Sequence, residues 1–186
     1  MKKPVIVFLR IICIVALTSL FSACAGWNPN QEQDDAEQVK ITIERFMERD
    51  PGLKVFFDKA YGYAVFPNVG KGAYIVGGSY GDGFVYEQGN LIGYANIIAA
   101  SIGLQIGGQG FSEIIFFKDK ETLDGFKGSN YEFNAQASAI AVNLGVSAKT
   151  DYNYGVAIFI LPKGGLMADL SAGGQKFSFE PRYKTE

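Results

Sequence analysis

From residue 38 onward the apolar positions recur first at helical spacing and then at strand spacing. Val39, Ile43, Phe46 and Met47 fall on one face of a helix whose other side carries Lys40, Glu44, Arg45 and Glu48. Asp50-Pro51 reads as an N-cap followed by Pro at the first helical position. Leu53, Phe56, Phe57 and Ala60 then form an i, i+3, i+4, i+7 face that ends at Gly62. Beyond Gly62 the period becomes two. Strands are expected near 63–66, 73–79, 84–87, 91–99, 102–109, 113–117, 133–147, 156–161 and 166–179. Gly81-Asp82-Gly83, Gln88-Gly89-Asn90 and Lys163-Gly164-Gly165 supply turn signals between them. One short helix over 119–126 interrupts the strands, with Asp119 as its cap and Leu123 and Phe126 turned inward.

Small residues stand where strands ordinarily carry Val or Leu: Gly103, Gly107, Gly108, Ala135, Ala137, Ala139, Ala141, Ala172, Gly173 and Gly174. They permit sharp bending and close approach of a second layer. The fold expected is α+β, with N-terminal helices packed on a strongly coiled, mainly antiparallel sheet or partly closed barrel. The composition agrees, with 23 Gly, 15 Phe and 10 Tyr. A transmembrane barrel shares these features, but the helical stretch over 34–60 and the polar C-terminal tail argue against it.

The first residues change the picture of where the domain resides. Lys2, Lys3 and Arg10 precede an apolar run over 11–17, and Ser19, Ser22 and Ala23 follow. This is the layout of a secretory signal. Phe21-Ser22-Ala23-Cys24 resembles the bacterial lipobox, in which the Cys is acylated and becomes the first residue of the mature chain. The expected organisation is a signal peptide over 1–23, an acylated Cys24 with a flexible tether over 24–37, one domain over 38–182 and a tail over 183–186. Ala25 follows the Cys, so the expected site is the cell envelope, in the outer membrane facing the periplasm. Setting aside Lys2, Lys3 and Arg10 from the 17 basic residues leaves 14 against 19 acidic ones, a net of about −5. Such a chain is no general nucleic-acid binder, and an anionic partner has to find a local basic patch.

Chemistry is sparse. There is no histidine, which removes the commonest general base and metal ligand. Asn68-Val69-Gly70-Lys71-Gly72 lacks the spacing of a phosphate loop, and the glycines over 77–83 follow a strand without opening a helix. Asp82, Glu87, Glu113, Asp124 and Asp169 read as turn residues or solvated strand positions rather than a catalytic pair. No acidic run has calcium-loop spacing. The expectation is a protein without catalysis, metal or cofactor. Two features remain. Gln105 and Gln109 lie on one face of a predicted strand among glycines, either satisfying irregular backbone or pointing into a cavity. Lys54, Lys59 and Lys71 are interleaved with Phe56, Phe57, Tyr61 and Tyr63, either addressing lipid headgroups or forming a solvated face with pairs such as Lys54–Asp58.

The segment Ala60-Tyr-Gly-Tyr-Ala-Val-Phe-Pro-Asn-Val-Gly-Lys-Gly72 resembles the opening signature of the SYLF-domain family. The resemblance continues in order through Gly77-Gly-Ser-Tyr-Gly-Asp-Gly83, Ser101-Ile-Gly-Leu-Gln-Ile-Gly-Gly-Gln109 and Glu113-Ile-Ile-Phe-Phe117. It runs on through Leu123-Asp-Gly-Phe126, Ala135-Gln-Ala-Ser-Ala139, Gly155-Val-Ala-Ile-Phe159, Lys163-Gly-Gly-Leu-Met167 and Gly173-Gly-Gln-Lys-Phe177. What it implies is a phospholipid-binding module, in the branch of exported bacterial lipoproteins. The partners so expected are the membrane, through the acyl anchor on Cys24, and anionic phospholipid headgroups. The other expectation is an envelope interaction protein with a protein partner and no lipid contact beyond its anchor.

Overall fold

A computed structural model describes residues 29–73, 76–102, 109–128, 131–132, 139–163 and 175–182. The chain separates into two compact units, Met1–Asp35 and Ala36–Glu186, of which the second holds the sheet. Three α-helices occur among the described residues: α1 (Pro29–Arg49), α2 (Lys54–Lys59) and α3 (Lys120–Lys127). The strands are β1 (Gly62–Ala73), β2 (Val76–Glu87), β3 (Asn90–Ile102), β4 (Gln109–Phe117), β5 (Tyr131–Glu132), β6 (Ala139–Ala141), β7 (Val156–Pro162) and β8 (Gln175–Pro181). The fold is α+β.

The flexible tether expected over 24–37 is shortened by the structure, because α1 already begins at Pro29. The segment is poor in apolar residues, but Gln, Glu and Ala lose little entropy in a helix and so favour one without an apolar stripe. The caps expected from the sequence are formed. Asp50 accepts the Gly52 amide at 3.1 Å, and Pro51 opens a single 3₁₀ turn that runs into α2. Asp119 accepts the Thr122 amide at 2.9 Å at the start of α3.

The eight strands form one mixed sheet in the order β5-β8-β3-β2-β1-β4-β7-β6. Every pairing is antiparallel except β6 with β7. Among the described residues nothing pairs β5 with β6, so the sheet is open. Its centre is one long hairpin, in which Gly62 pairs with Glu87 and Ala73 with Gly77. The sequence suggested three short strands here, with a turn at Gly81-Asp82-Gly83. Instead those residues lie inside β2, and their glycines answer to packing. A side-chain carbon on Gly83 would stand 2.4 Å from the Phe66 ring, and one on Gly81 would stand 2.7 Å from the Asn68 carbonyl. Pro67, which cannot donate to a ladder, sits at a bulge, where the pairing of β1 shifts register against both neighbours. Ser112 Oγ donates to the Pro67 carbonyl at 2.8 Å and satisfies it. Of the strand expected over 133–147, residues 133–138 lie outside the described residues; beyond them β6 covers Ala139–Ala141, and a 3₁₀ turn occupies Ser147–Lys149.

Strand alternation separates two cores. Phe111, Ile115 and Phe117 of β4 join Phe66, Ile97, Ile158, Phe177 and the inward face of α3 on one side. Ile114 and Phe116 join Val65, Phe159, Leu53, Phe56, Val39 and Phe46 on the other, which α1 and α2 cover. Phe46 is fully buried, a contribution of roughly 1.5–3 kcal/mol. Between the two cores β4 is buried throughout its length from Phe111 to Phe117.

Candidate functional site

The outer side of α1 brings charge to the edge of the sheet. Val39, Thr42 and Phe46 are buried, so Arg45, Glu48 and Arg49 must face outward. They meet the end of β7 and the chain leaving β6, and together line a groove of about 590 Å³ with Val142, Asn143 and Pro162. Arg49 Nη2 donates to Asn143 Oδ1 at 3.2 Å, which fixes one guanidinium against the far wall. Lys163 follows directly on Pro162 and donates to Asn68 Oδ1, whose amide nitrogen in turn donates to Gln38 Oε1 at 3.0 Å. Lys163 is exposed as a residue, yet partial burial and then the Arg45 charge hold it below the ordinary lysine value. Two arginines and one acid, Glu48, thus line the groove, and Lys163 lies near enough to Arg45 to feel its charge. Guanidinium groups offer forked donors that match phosphate or carboxylate oxygens. An anion placed here would relieve the crowding between Lys163 and Arg45.

A smaller cavity of about 330 Å³ lies between α2 and the turn that follows β6, lined in part by Phe56, Lys59, Ser147, Asp151 and Tyr152. The Tyr152 phenol is buried without a hydrogen-bond partner among the described residues. Burial, with Asp151 adding to it, pushes it up to about 12. One cation and one anion share this cavity, so it selects neither sign of ligand.

The sequence-derived candidates divide. Lys54 is exposed and paired with Asp58 at 2.7 Å, as the solvated-face reading had it. Lys59 lines the smaller cavity. Lys71 lies nine residues along β1 from Gly62, roughly 30 Å down the strand from the end of α2. The three lysines therefore do not meet in one patch. Gln109 opens β4 and pairs in register with Lys71, while Gln105 lies outside the described residues, as does Cys24. The acids form no catalytic pair among the described residues: Glu87 accepts from Tyr61 at 2.8 Å, Asp82 accepts from Tyr80 at 2.8 Å, and Asp124 is paired with Lys120 and Lys127. Glu113, read as a solvated strand position, is fully buried instead.

Arg45, Arg49 and Lys163 were not singled out from the sequence. The i, i+4 spacing of the two arginines was visible. That Lys163 would join them depends on β7 ending beside α1, which no local pattern encodes. Among the described residues no group of His, Cys, Asp and Glu could hold a metal ion, and no helix is long and apolar enough to cross a membrane.

No protein-family model matches the chain. The chain is similar to beta cell expansion factor A of Aeromonas veronii, at 30% identity over 151 residues, covering 76% of this chain and 58% of that protein. It therefore spans little more than half the length of the curated relative that it matches.

Proposed function

We propose that this is a cell-envelope lipoprotein, acylated on Cys24, whose SYLF-like domain binds anionic phospholipid without catalysis. The observation that carries the reading is the meeting of Arg45 and Arg49 in one groove, with Lys163 near enough to feel the Arg45 charge, in a domain that is otherwise acidic. A phosphate group seated there gains forked donors from the arginines and offsets the repulsion between Arg45 and Lys163. The acyl chains hold the protein at the bilayer, which leaves the groove to choose among headgroups. The sheet that carries the groove is read as strongly coiled, approaching a partly closed barrel with the helices on its outside.

A second reading rests on a separate observation. Tyr80 and Ile98 are cross-strand partners, and they remain 56% and 59% exposed. An uncovered apolar pair suits a protein partner in the envelope. Liposome flotation of the acyl-free domain, residues 30–186, separates the readings. Binding to anionic vesicles that fails in the Arg45→Gln, Arg49→Gln, Lys163→Gln variant supports the headgroup site. Absence of binding to neutral and anionic vesicles alike favours the protein partner.

A further inference from the structure

Glu113 stands in the middle of β4, with Phe66 of β1 and Ile160 of β7 as its register partners. It is fully buried, on the face that carries Phe111, Ile115 and Phe117. Gln175, 3% exposed, opens β8. Three strands separate β8 from β4 in the sheet, which would place them roughly 19 Å apart if the sheet were flat. Yet Gln175 Nε2 donates to Glu113 Oε2 at 3.1 Å. The sheet therefore bends far enough for its strands to touch across their concave side.

The remaining oxygen of each group, Glu113 Oε1 and Gln175 Oε1, meets no donor among the described residues. Two unpaired buried acceptors on joined side chains are costly. One proton resolves both. Protonated at Oε1, Glu113 donates to Gln175 Oε1 while the amide continues to donate to Oε2, and the soft terminal torsions allow the alignment. An ionised Glu113 leaves both oxygens unpaired and places a charge among Phe66, Ile158, Ile160 and Phe177. Among the described residues no cation compensates: those of β1, β2, β3, β4, β7, β8 and α3 that form this core are otherwise apolar, and Tyr61, the one described titratable group packed at its margin, is bonded to Glu87.

We propose that Glu113 and Gln175 form a proton-operated clasp that pins β8 to β4 across the concave side of the sheet. When the proton leaves, β8 and the short edge strand β5 part from the core and expose its apolar side chains. Burial pushes the Glu113 carboxyl up to about 8, against a smaller opposing effect of the Gln175 bond. In the opened form the carboxyl reaches water and returns to its ordinary value of 4.5. The closed form then binds more protons between pH 4.5 and 8. Opening becomes about tenfold easier per pH unit across that interval and levels off above it.

Amide hydrogen exchange of the full chain from pH 5 to pH 9, corrected for intrinsic rates, tests the clasp. Protection of the β8 amides should fall about tenfold per unit up to pH 8 in the wild type, while amides of the β1–β2 hairpin change less. Glu113→Gln keeps an amide partner for Gln175 without a titrating proton, and its β8 protection should be flat with pH. A wild-type profile that is flat, or that falls equally over the whole sheet, overturns the proposal. So does a Glu113→Gln profile parallel to wild type. Should that variant fail to fold, carbon-13 titration of the wild-type carboxyl decides: a midpoint near 8 supports the clasp, and one in the ordinary carboxylate range overturns it.

Discussion

Asp50 and Ser147 are 97 positions apart in the chain, and Asp50 Oδ2 accepts the Ser147 amide at 2.7 Å. The same carboxylate caps the turn at Pro51 through its other oxygen, which accepts the Gly52 amide. One side chain therefore starts the second helical segment and also fastens the turn that follows β6. The space between them is tight, since a side-chain carbon on Gly52 would stand 2.3 Å from Ser147 Oγ.

Asp50→Ala should cost about 1–3 kcal/mol, because it strands two amide donors, one of them deeply buried. Burial works to raise the carboxyl, but the Ser147 and Gly52 bonds outweigh it and hold the group below 3.8. This contribution is present above the unfolded value and is lost as the pH falls through the lower folded one. Chemical denaturation of Asp50→Asn should accordingly show a shallower loss of stability in acid than wild type.

Glu113→Gln should raise the melting temperature at pH 8 and leave it little changed near pH 5. The folded-state value of Glu113 is raised, so its contribution is fully present below about 4.5 and is lost as the pH climbs toward 8. Each unit of that interval is worth about 1.4 kcal/mol. Calorimetry showing equal pH profiles for both proteins would reject this.

Gly83→Ala should destabilise by about 1–3 kcal/mol through overpacking against the Phe66 ring. Gly89→Ala should also destabilise, for a different reason. Gly89 has φ of 79° and open space around it, so its cost is backbone strain of about 1 kcal/mol. Pairing each with Phe66→Leu distinguishes the two, because only the Gly83 penalty should shrink.

Binding of the acyl-free domain to anionic vesicles should weaken steeply with salt, as three cations each contribute about 1 kcal/mol within a Debye length of about 10 Å. Replacing Arg45, Arg49 and Lys163 by Gln should remove most of that salt dependence. Replacing Lys54, Lys59 and Lys71 should change it less, since Lys54 is already paired and Lys71 lies far along β1. Equal losses in both triple variants would move the site away from the groove.

Cys24→Ser should abolish acylation and release the protein from the membrane fraction, given ~0.8 kcal/mol of anchoring per buried CH₂. Mass spectrometry that finds an unmodified Cys24 in the wild-type mature protein would end the lipoprotein reading.

The helices were legible because their signals are local. Asp50, Pro51 and Asp119 announce caps through the types of residue alone, and the apolar faces around Phe46 and Phe56 repeat at the helical period. The strands were legible in kind but not in extent. Gly81 and Gly83 look like turn residues, and their true reason, room for Phe66 and for the Asn68 carbonyl, comes from a strand paired in register. The alternation of Phe111, Glu113, Ile115 and Phe117 did place Glu113 on a core face. A lone carboxylate in such a run still reads as solvated, because its partner Gln175 follows 62 positions later. The basic groove was hidden for a similar reason, since Arg45 and Lys163 are joined only by the final course of the sheet.

The two edges of the sheet are tied by very little chain. β5 ends at Glu132 and β6 begins at Ala139, so seven peptide steps link strands at opposite ends of an eight-strand order. Fully extended, those steps reach about 25 Å. Seven inter-strand spacings laid flat would need about 34 Å. Glu132 and Ala139 therefore stand no further apart than that reach, which sets a maximum width for the sheet whatever its core prefers. Removing two residues between them would shorten the reach to about 18 Å and force either tighter curling or the release of an edge strand, whereas adding residues there would leave curvature to the side chains alone.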